Sequence, residues 1–127
     1  MKIIFPLIMS LFLLTACAAP VSPAPSYRQI GMDEAMAMME RESDYIILDV
    51  RTPGEFSEGH IPDALNLPNE SIGSENIPML PDKEQLIMVY CRSGNRSKQA
   101  AEKLVKLGYT NVVEFGGIID WPGEVVS

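Results

Sequence analysis

Seven residues in this 127-residue chain concentrate the groups that could do chemistry: Cys91-Arg92-Ser93-Gly94-Asn95-Arg96-Ser97. They bring one thiol, two guanidiniums, two hydroxyls and a glycine into a single short turn. A thiol becomes a nucleophile only as the thiolate, and converging backbone N–H groups, a helix N-terminus and nearby cations all favour that form. The same features attract an anionic substrate. Cys91 is therefore the candidate catalytic nucleophile. Arg92, Ser93, Gly94, Asn95, Arg96 and Ser97 are the candidate substrate-binding residues around it. Arg92 and Arg96 are expected to lower the Cys91 pKa, Gly94 to let the turn curl, and Ser97 is a candidate helix cap.

The flanking sequence supplies the elements that such a turn needs. Leu86-Ile87-Met88-Val89-Tyr90 is an apolar, β-branched run that predicts a buried strand. Ala100, Ala101, Leu104 and Leu107 then recur at helical spacing, and Gly108 stands where a helix stops. Upstream, Tyr27–Ile30 predicts a short edge strand, and residues 32–41 predict a helix with Met32, Ala35, Met36 and Met39 on one face. Those methionines, with no His or Cys beside them, read as core and not as a copper site. Residues 45–50 predict a second buried strand, and Pro53, Gly54, Glu55 and Gly59 predict a loop after it. A turn and a short strand follow between His60 and Pro68. Between Asn69 and Asp82, turn-forming residues alternate with Ile72, Ile77, Met79 and Leu80, which could pin the segment to a core. Val112-Val113-Glu114-Phe115 predicts a last strand, with a turn at Gly116-Gly117 and a short terminal segment carrying Trp121. Strands alternating with helices predict an α/β layer structure with a mainly parallel sheet, whose ligands sit beyond the carboxyl ends of the strands.

The N-terminus reads as a targeting segment. Lys2 precedes an apolar run from Ile3 to Leu14, too short to span a bilayer comfortably. Leu14-Thr15-Ala16-Cys17 resembles the lipobox of bacterial lipoproteins, which implies cleavage before Cys17 and acylation of that residue. The expected organisation is thus a signal peptide over residues 1–16, a lipidated Cys17 with a Pro-rich tether over 17–26, and one domain over 27–127. The tether would reach on the order of 30 Å at about 3 Å per residue in extended polyproline form. Ala18 after the cysteine favours the outer membrane, with the domain facing the periplasm, or the cell surface in a Gram-positive organism. Removing residues 1–16 takes away Lys2 and leaves 9 basic against 17 acidic residues. So acidic a domain excludes nucleic acid as a partner, because phosphate binding needs basic stripes. With Cys17 acylated, Cys91 would be the only thiol in an exported protein, with no disulfide partner.

Three motifs in order make the chain resemble a single rhodanese domain. Residues 48–56 (Leu-Asp-Val-Arg-Thr-Pro-Gly-Glu-Phe) and 59–64 (Gly-His-Ile-Pro-Asp-Ala) match the upstream signature. Residues 91–97 match the active-site loop, and Gly116-Gly117 with Trp121 match the closing motif. The resemblance covers roughly Tyr27 to Glu124. It implies a three-layer α/β sandwich around a mostly parallel five-stranded sheet. It also implies a sulfurtransferase in which the cysteine takes a sulfane sulfur from a small anionic donor such as thiosulfate. The resulting persulfide passes that sulfur to a thiol or cyanide-like acceptor. By the same resemblance Asp49 and Arg51 hold loops together, with Glu55 and His60 as further structural support. Trp121 fits a pocket wall or the core equally.

No cofactor is called for, and one His with one free Cys makes no metal-ligand set. Two other functions fit the same turn. Cysteine phosphatases and arsenate reductases use a similar strand–loop–helix cradle, but related phosphatases place five residues between Cys and Arg where this chain has four. The shorter loop suits a sulfur atom better than a tetrahedral oxyanion. The fold also serves as a non-catalytic interaction module, usually without the cysteine, and a persulfide carrier would lie between module and enzyme.

Overall fold

The structure, a computed structural model, describes residues 26–127. The expected signal segment, Cys17 and the tether up to residue 25 lie outside the described residues. In chain order the elements are β1 (Arg28–Gln29), α1 (Met32–Arg41), β2 (Tyr45–Asp49), α2 (Pro53–Glu58), β3 (Leu65–Asn66), β4 (Leu86–Cys91), α3 (Asn95–Lys106) and β5 (Val112–Gly117). Short 3-10 turns cover Asn69–Ser71 and Ile118–Asp120. The five strands form one sheet in the order β1-β5-β4-β2-β3, and every adjacent pair is parallel. Helices on both faces make three layers. This agrees with the expected architecture, with a sheet parallel throughout.

β4 is central, and all six of its residues are buried. Because successive strand side chains point to opposite faces, β4 feeds two cores. Ile87, Val89 and Cys91 pack with Ala100, Ala101 and Leu104 of α3. Leu86, Met88 and Tyr90 pack on the other face with Ala35 and Met38 of α1 and with Phe115. α3 ends in a Schellman motif: Gly108, at φ 97°, donates to the Val105 carbonyl, and Tyr109 donates to that of Leu104.

Four local expectations are corrected. Met38, not Met36, is the buried methionine of α1, because with Ala35 it faces the sheet. The segment after β2 is a helix and not a loop. Thr52 accepts from the Glu55 N–H while the Glu55 side chain accepts from the Thr52 N–H, and Pro53 takes the first helical position. That T-x-x-E capping box with proline was readable in the sequence. Met79 is 43% exposed, so of the four apolar residues Ile72, Ile77 and Leu80 attach the 69–82 segment to the core. Gly116-Gly117 belongs to β5 and not to a turn beyond it.

Candidate active site

Asp49 and Cys91 are the last residues of neighbouring strands β2 and β4, so the chemistry-bearing residues gather at the carboxyl edge of the sheet. They point to opposite faces there.

On the α3 face, Cys91 is 1% exposed. The chain leaves β4 and turns at Gly94 (φ 114°), a conformation open mainly to glycine, directly into α3. Arg96 and Ser97 are therefore helical, occupying the first turn. Gly94 donates its N–H to Cys91 Sγ at 2.9 Å. No side chain caps α3, which leaves its first N–H groups available to an anion. Ser97 corrects its expected role as cap. It lies inside the helix, with Oγ 3.3 Å from Cys91 Sγ and 2.9 Å from the Gly94 carbonyl. Burial works against the Cys91 thiolate. The Ser97 hydroxyl and the N–H groups of Ser97, Gly94 and Ser93 outweigh it, so the thiol sits below its ordinary range. Hydrogen bonds, more than the two arginines, thus favour the thiolate.

The arginines divide in character. Arg92 is exposed, with no side-chain partner among the described residues. Arg96 forms a bidentate pair with Glu55, Nη1 to Oε1 at 2.6 Å and Nη2 to Oε2 at 3.0 Å. That pair ties the start of α2 to the start of α3. The Arg96 guanidinium, with the Thr52 N–H and hydroxyl, outweighs burial and holds the Glu55 carboxyl down to about 2. Ser93 and Asn95 are exposed at the mouth of the turn.

The closing glycines have distinct reasons. The β4–β5 register slips by one residue between Val89 and Cys91, and Gly116 stands at φ 99° within that bulge. Gly117 has ordinary extended backbone, but a Cβ there would overlap the Arg92 carbonyl and Ser93 Cα. The bulge thereby lays the end of β5 against the cysteine turn, and Ile119 N–H bonds the Arg92 carbonyl at 3.3 Å.

On the opposite face, Arg51 donates to both carboxylate oxygens of Asp49, Nη2 to Oδ2 at 2.7 Å, and also to the Gly59 carbonyl. Tyr90 donates its hydroxyl to Asp49 Oδ2 at 2.7 Å and accepts from the Ile61 N–H at 3.1 Å. Burial and the Asp49 carboxylate push the Tyr90 phenol well above its usual value. His60 stacks on Phe56, places Nδ1 2.8 Å from the Phe56 carbonyl, and bridges backbone to Val126. Trp121 packs beside Phe115 and donates to the Glu124 carbonyl. Among the described residues no cluster of His, Cys, Asp or Glu could hold a metal ion.

Two site residues escape sequence reasoning: Tyr90 and Glu114. Glu114 lies in β5 with 0% exposure, and its Oε1 is 2.7 Å from Ser97 Oγ and 2.9 Å from the Gly116 N–H. The only signal in the sequence was a carboxylate inside an otherwise apolar strand.

The profile of the rhodanese-like domain matches residues 31–123, and the chain belongs to that family. It is 43% identical over 94 residues to a sulfurtransferase of Allochromatium vinosum, covering 73% of this chain and 86% of the relative. It is 37% identical over 73 residues to the thiosulfate sulfurtransferase PspE of Escherichia coli, covering 58% and 70%. Among solved structures, a rhodanese with anions from E. coli matches at TM-score 0.59 and 36% identity over 65% of this chain and 98% of the other. A rhodanese-related protein from Thermoplasma volcanium matches at TM-score 0.65 and 31% identity, over 79% and 98%.

Proposed function

We propose that this protein is a thiosulfate-type sulfurtransferase working through a Cys91 persulfide. The observation that carries the reading is the setting of Sγ. It is buried beneath an uncapped helix N-terminus and receives the Gly94 N–H at 2.9 Å, with the Ser97 hydroxyl at 3.3 Å. The Cys91 thiolate attacks the outer sulfur of the donor. The bond between that sulfur and the sulfonate breaks, and sulfite leaves with the electron pair. The terminal persulfide sulfur then lies where the α3 N–H groups can stabilise its charge. An acceptor thiolate or cyanide attacks it, and Cys91 departs as thiolate. Arg92, exposed at the rim, is the cation available to an anionic donor. Phosphate-ester chemistry is disfavoured, because the guanidinium that would clamp a tetrahedral oxyanion is held by Glu55.

Thiosulfate is expected to add one sulfur atom to Cys91, seen as a mass increase that cyanide reverses. Cys91→Ser should abolish loading and turnover; a mutant that loads like the wild type would overturn the reading.

The same proposal places the domain outside the cytoplasm on a lipid anchor at Cys17, supported by Lys2, the apolar run and Leu14-Thr15-Ala16-Cys17. Cys17→Ser should accumulate as unprocessed precursor on a gel, and normal maturation of that variant would remove the anchor.

A further inference from the structure

Glu114 Oε2 is the single buried side-chain oxygen or nitrogen among the described residues that has no hydrogen-bond partner. Its neighbour Oε1 touches Ser97 Oγ, which in turn touches Cys91 Sγ. Three side chains from three elements (β5, α3 and β4) thus form one continuous buried row. No cation is bonded to this carboxylate. Oε1 also accepts the Gly116 N–H at the bulge, which an apolar residue on β5 could not do, but that bonding leaves the unpaired Oε2 unexplained.

Counting hydrogens assigns one. Ser97 has a single hydroxyl hydrogen, and around its oxygen stand the Gly94 carbonyl, which can only accept, and two groups that can give or take a proton, Cys91 and Glu114. When Cys91 is a thiolate it takes that hydrogen. With the hydroxyl hydrogen turned to sulfur, the 2.7 Å contact between Ser97 Oγ and Glu114 Oε1 is a hydrogen bond only if the carboxyl supplies the hydrogen, and of the two oxygens facing Ser97 only the carboxyl's can. When Glu114 is a carboxylate it takes the Ser97 hydrogen, and the Cys91 thiol donates to Ser97 instead. We propose that Cys91, Ser97 and Glu114 share one proton, with Glu114 holding the Cys91 proton while the sulfur is nucleophilic or persulfurated. In the transfer, the Cys91 S–H bond breaks as a new Ser97 O–H forms, and the old Ser97 O–H breaks as the Glu114 O–H forms. The row carries one negative charge before and after, so no co-reactant is needed. A neutral carboxyl also lowers the cost of leaving Oε2 unpaired.

The other titratable groups around Glu114 are few. From β4 comes Cys91. On α3, Ser97 is flanked in sequence by Arg96, which is turned to Glu55, and by Lys98, which is exposed. From the segment before β1 comes Tyr27, whose phenol burial pushes up, with Glu102 and Glu114 adding to it. Glu114 acts through Ser97, so it is a positioning residue and not a catalytic one.

This inference rests on Cys91 being the sulfur-carrying nucleophile, and the test separates the two. Infrared difference spectra of the full chain, before and after thiosulfate treatment, are recorded alongside intact mass. The expected result is a protonated-carboxyl C=O band that accompanies sulfur loading and vanishes in Glu114→Gln. The rate of Cys91 alkylation should hold a plateau across neutral pH in the wild type and collapse to a single titration step in Glu114→Gln. Ser97→Ala should uncouple the carboxyl band from the state of Cys91, a readout that survives if the Gln variant fails to fold. Sulfur loading without a carboxyl band, or an unchanged alkylation profile in Glu114→Gln, overturns the shared proton and leaves the sulfurtransferase reading intact. No loading at all overturns both.

Discussion

The sheet carries a buried polar cluster on each face, one residue apart in β4, and the two are built on opposite principles. Around Tyr90, the Asp49 carboxylate meets Arg51 and the Tyr90 hydroxyl, and Arg51 also reaches the Gly59 carbonyl. Every charge there has a counter-charge. Around Cys91, a thiol and a carboxylate share one serine, no cation is bonded to either, and one oxygen goes without a partner. A saturated cluster resists change, whereas a deficient one leaves the Ser97 hydrogen with more than one group that can take it. The first suits holding loops in place. The second suits a residue that must lose and regain a proton.

The largest effect should come from breaking the saturated side. Asp49→Asn leaves the Arg51 guanidinium buried without its counter-ion, at an expected cost of about 3–5 kcal/mol in unfolding free energy. Chemical denaturation measures it, and sulfur loading per folded molecule should remain near wild type. A loss of loading without loss of stability would reverse the roles assigned to the two faces.

The partly exposed Glu55–Arg96 pair should matter less, at under about 1 kcal/mol. Its pH dependence has a fixed sign. Glu55 falls from 4.5 unfolded to about 2 folded, so its contribution is present above about 4.5 and is lost as the pH drops through about 2. Glu55→Gln should therefore flatten the stability curve in that acid window and leave it parallel to wild type at neutral pH.

The smallest change in stability should come from the deficient side. Glu114→Gln removes a buried charge with no cationic partner, so the denaturation midpoint should stay within about 1 kcal/mol of wild type, or rise. A loss like that of Asp49→Asn would mean that the two clusters are alike.

Much of the site was legible along the chain. The apolar run before Cys91, the turn-forming residues after it and the helical spacing beyond are local signals, and each element formed where those signals lie. At α2 the proline and glycine of Thr52-Pro53-Gly54-Glu55 suggest a loop, yet the same four residues spell the cap of a helix. Met36 and Met38 each fit an apolar stripe with Ala35, and only the sheet's position decides which is inside. Arg96 and Arg92 look alike in sequence; Glu55, 41 positions from Arg96, separates them.

By itself, the sequence determined the strand–turn–helix junction, the glycine that lets it form and the cysteine at its tip, since these depend on residues within a few positions of one another. It could not show that Glu114 stands behind Cys91. That contact crosses 17 residues to Ser97 and exists because the strand order sets β5 beside β4, with a bulge at Gly116 aligning their ends. The pairing of Tyr90 with Asp49 across 41 residues has the same origin. Side-chain period along a strand assigns a face, but only the packed sheet decides which faces meet.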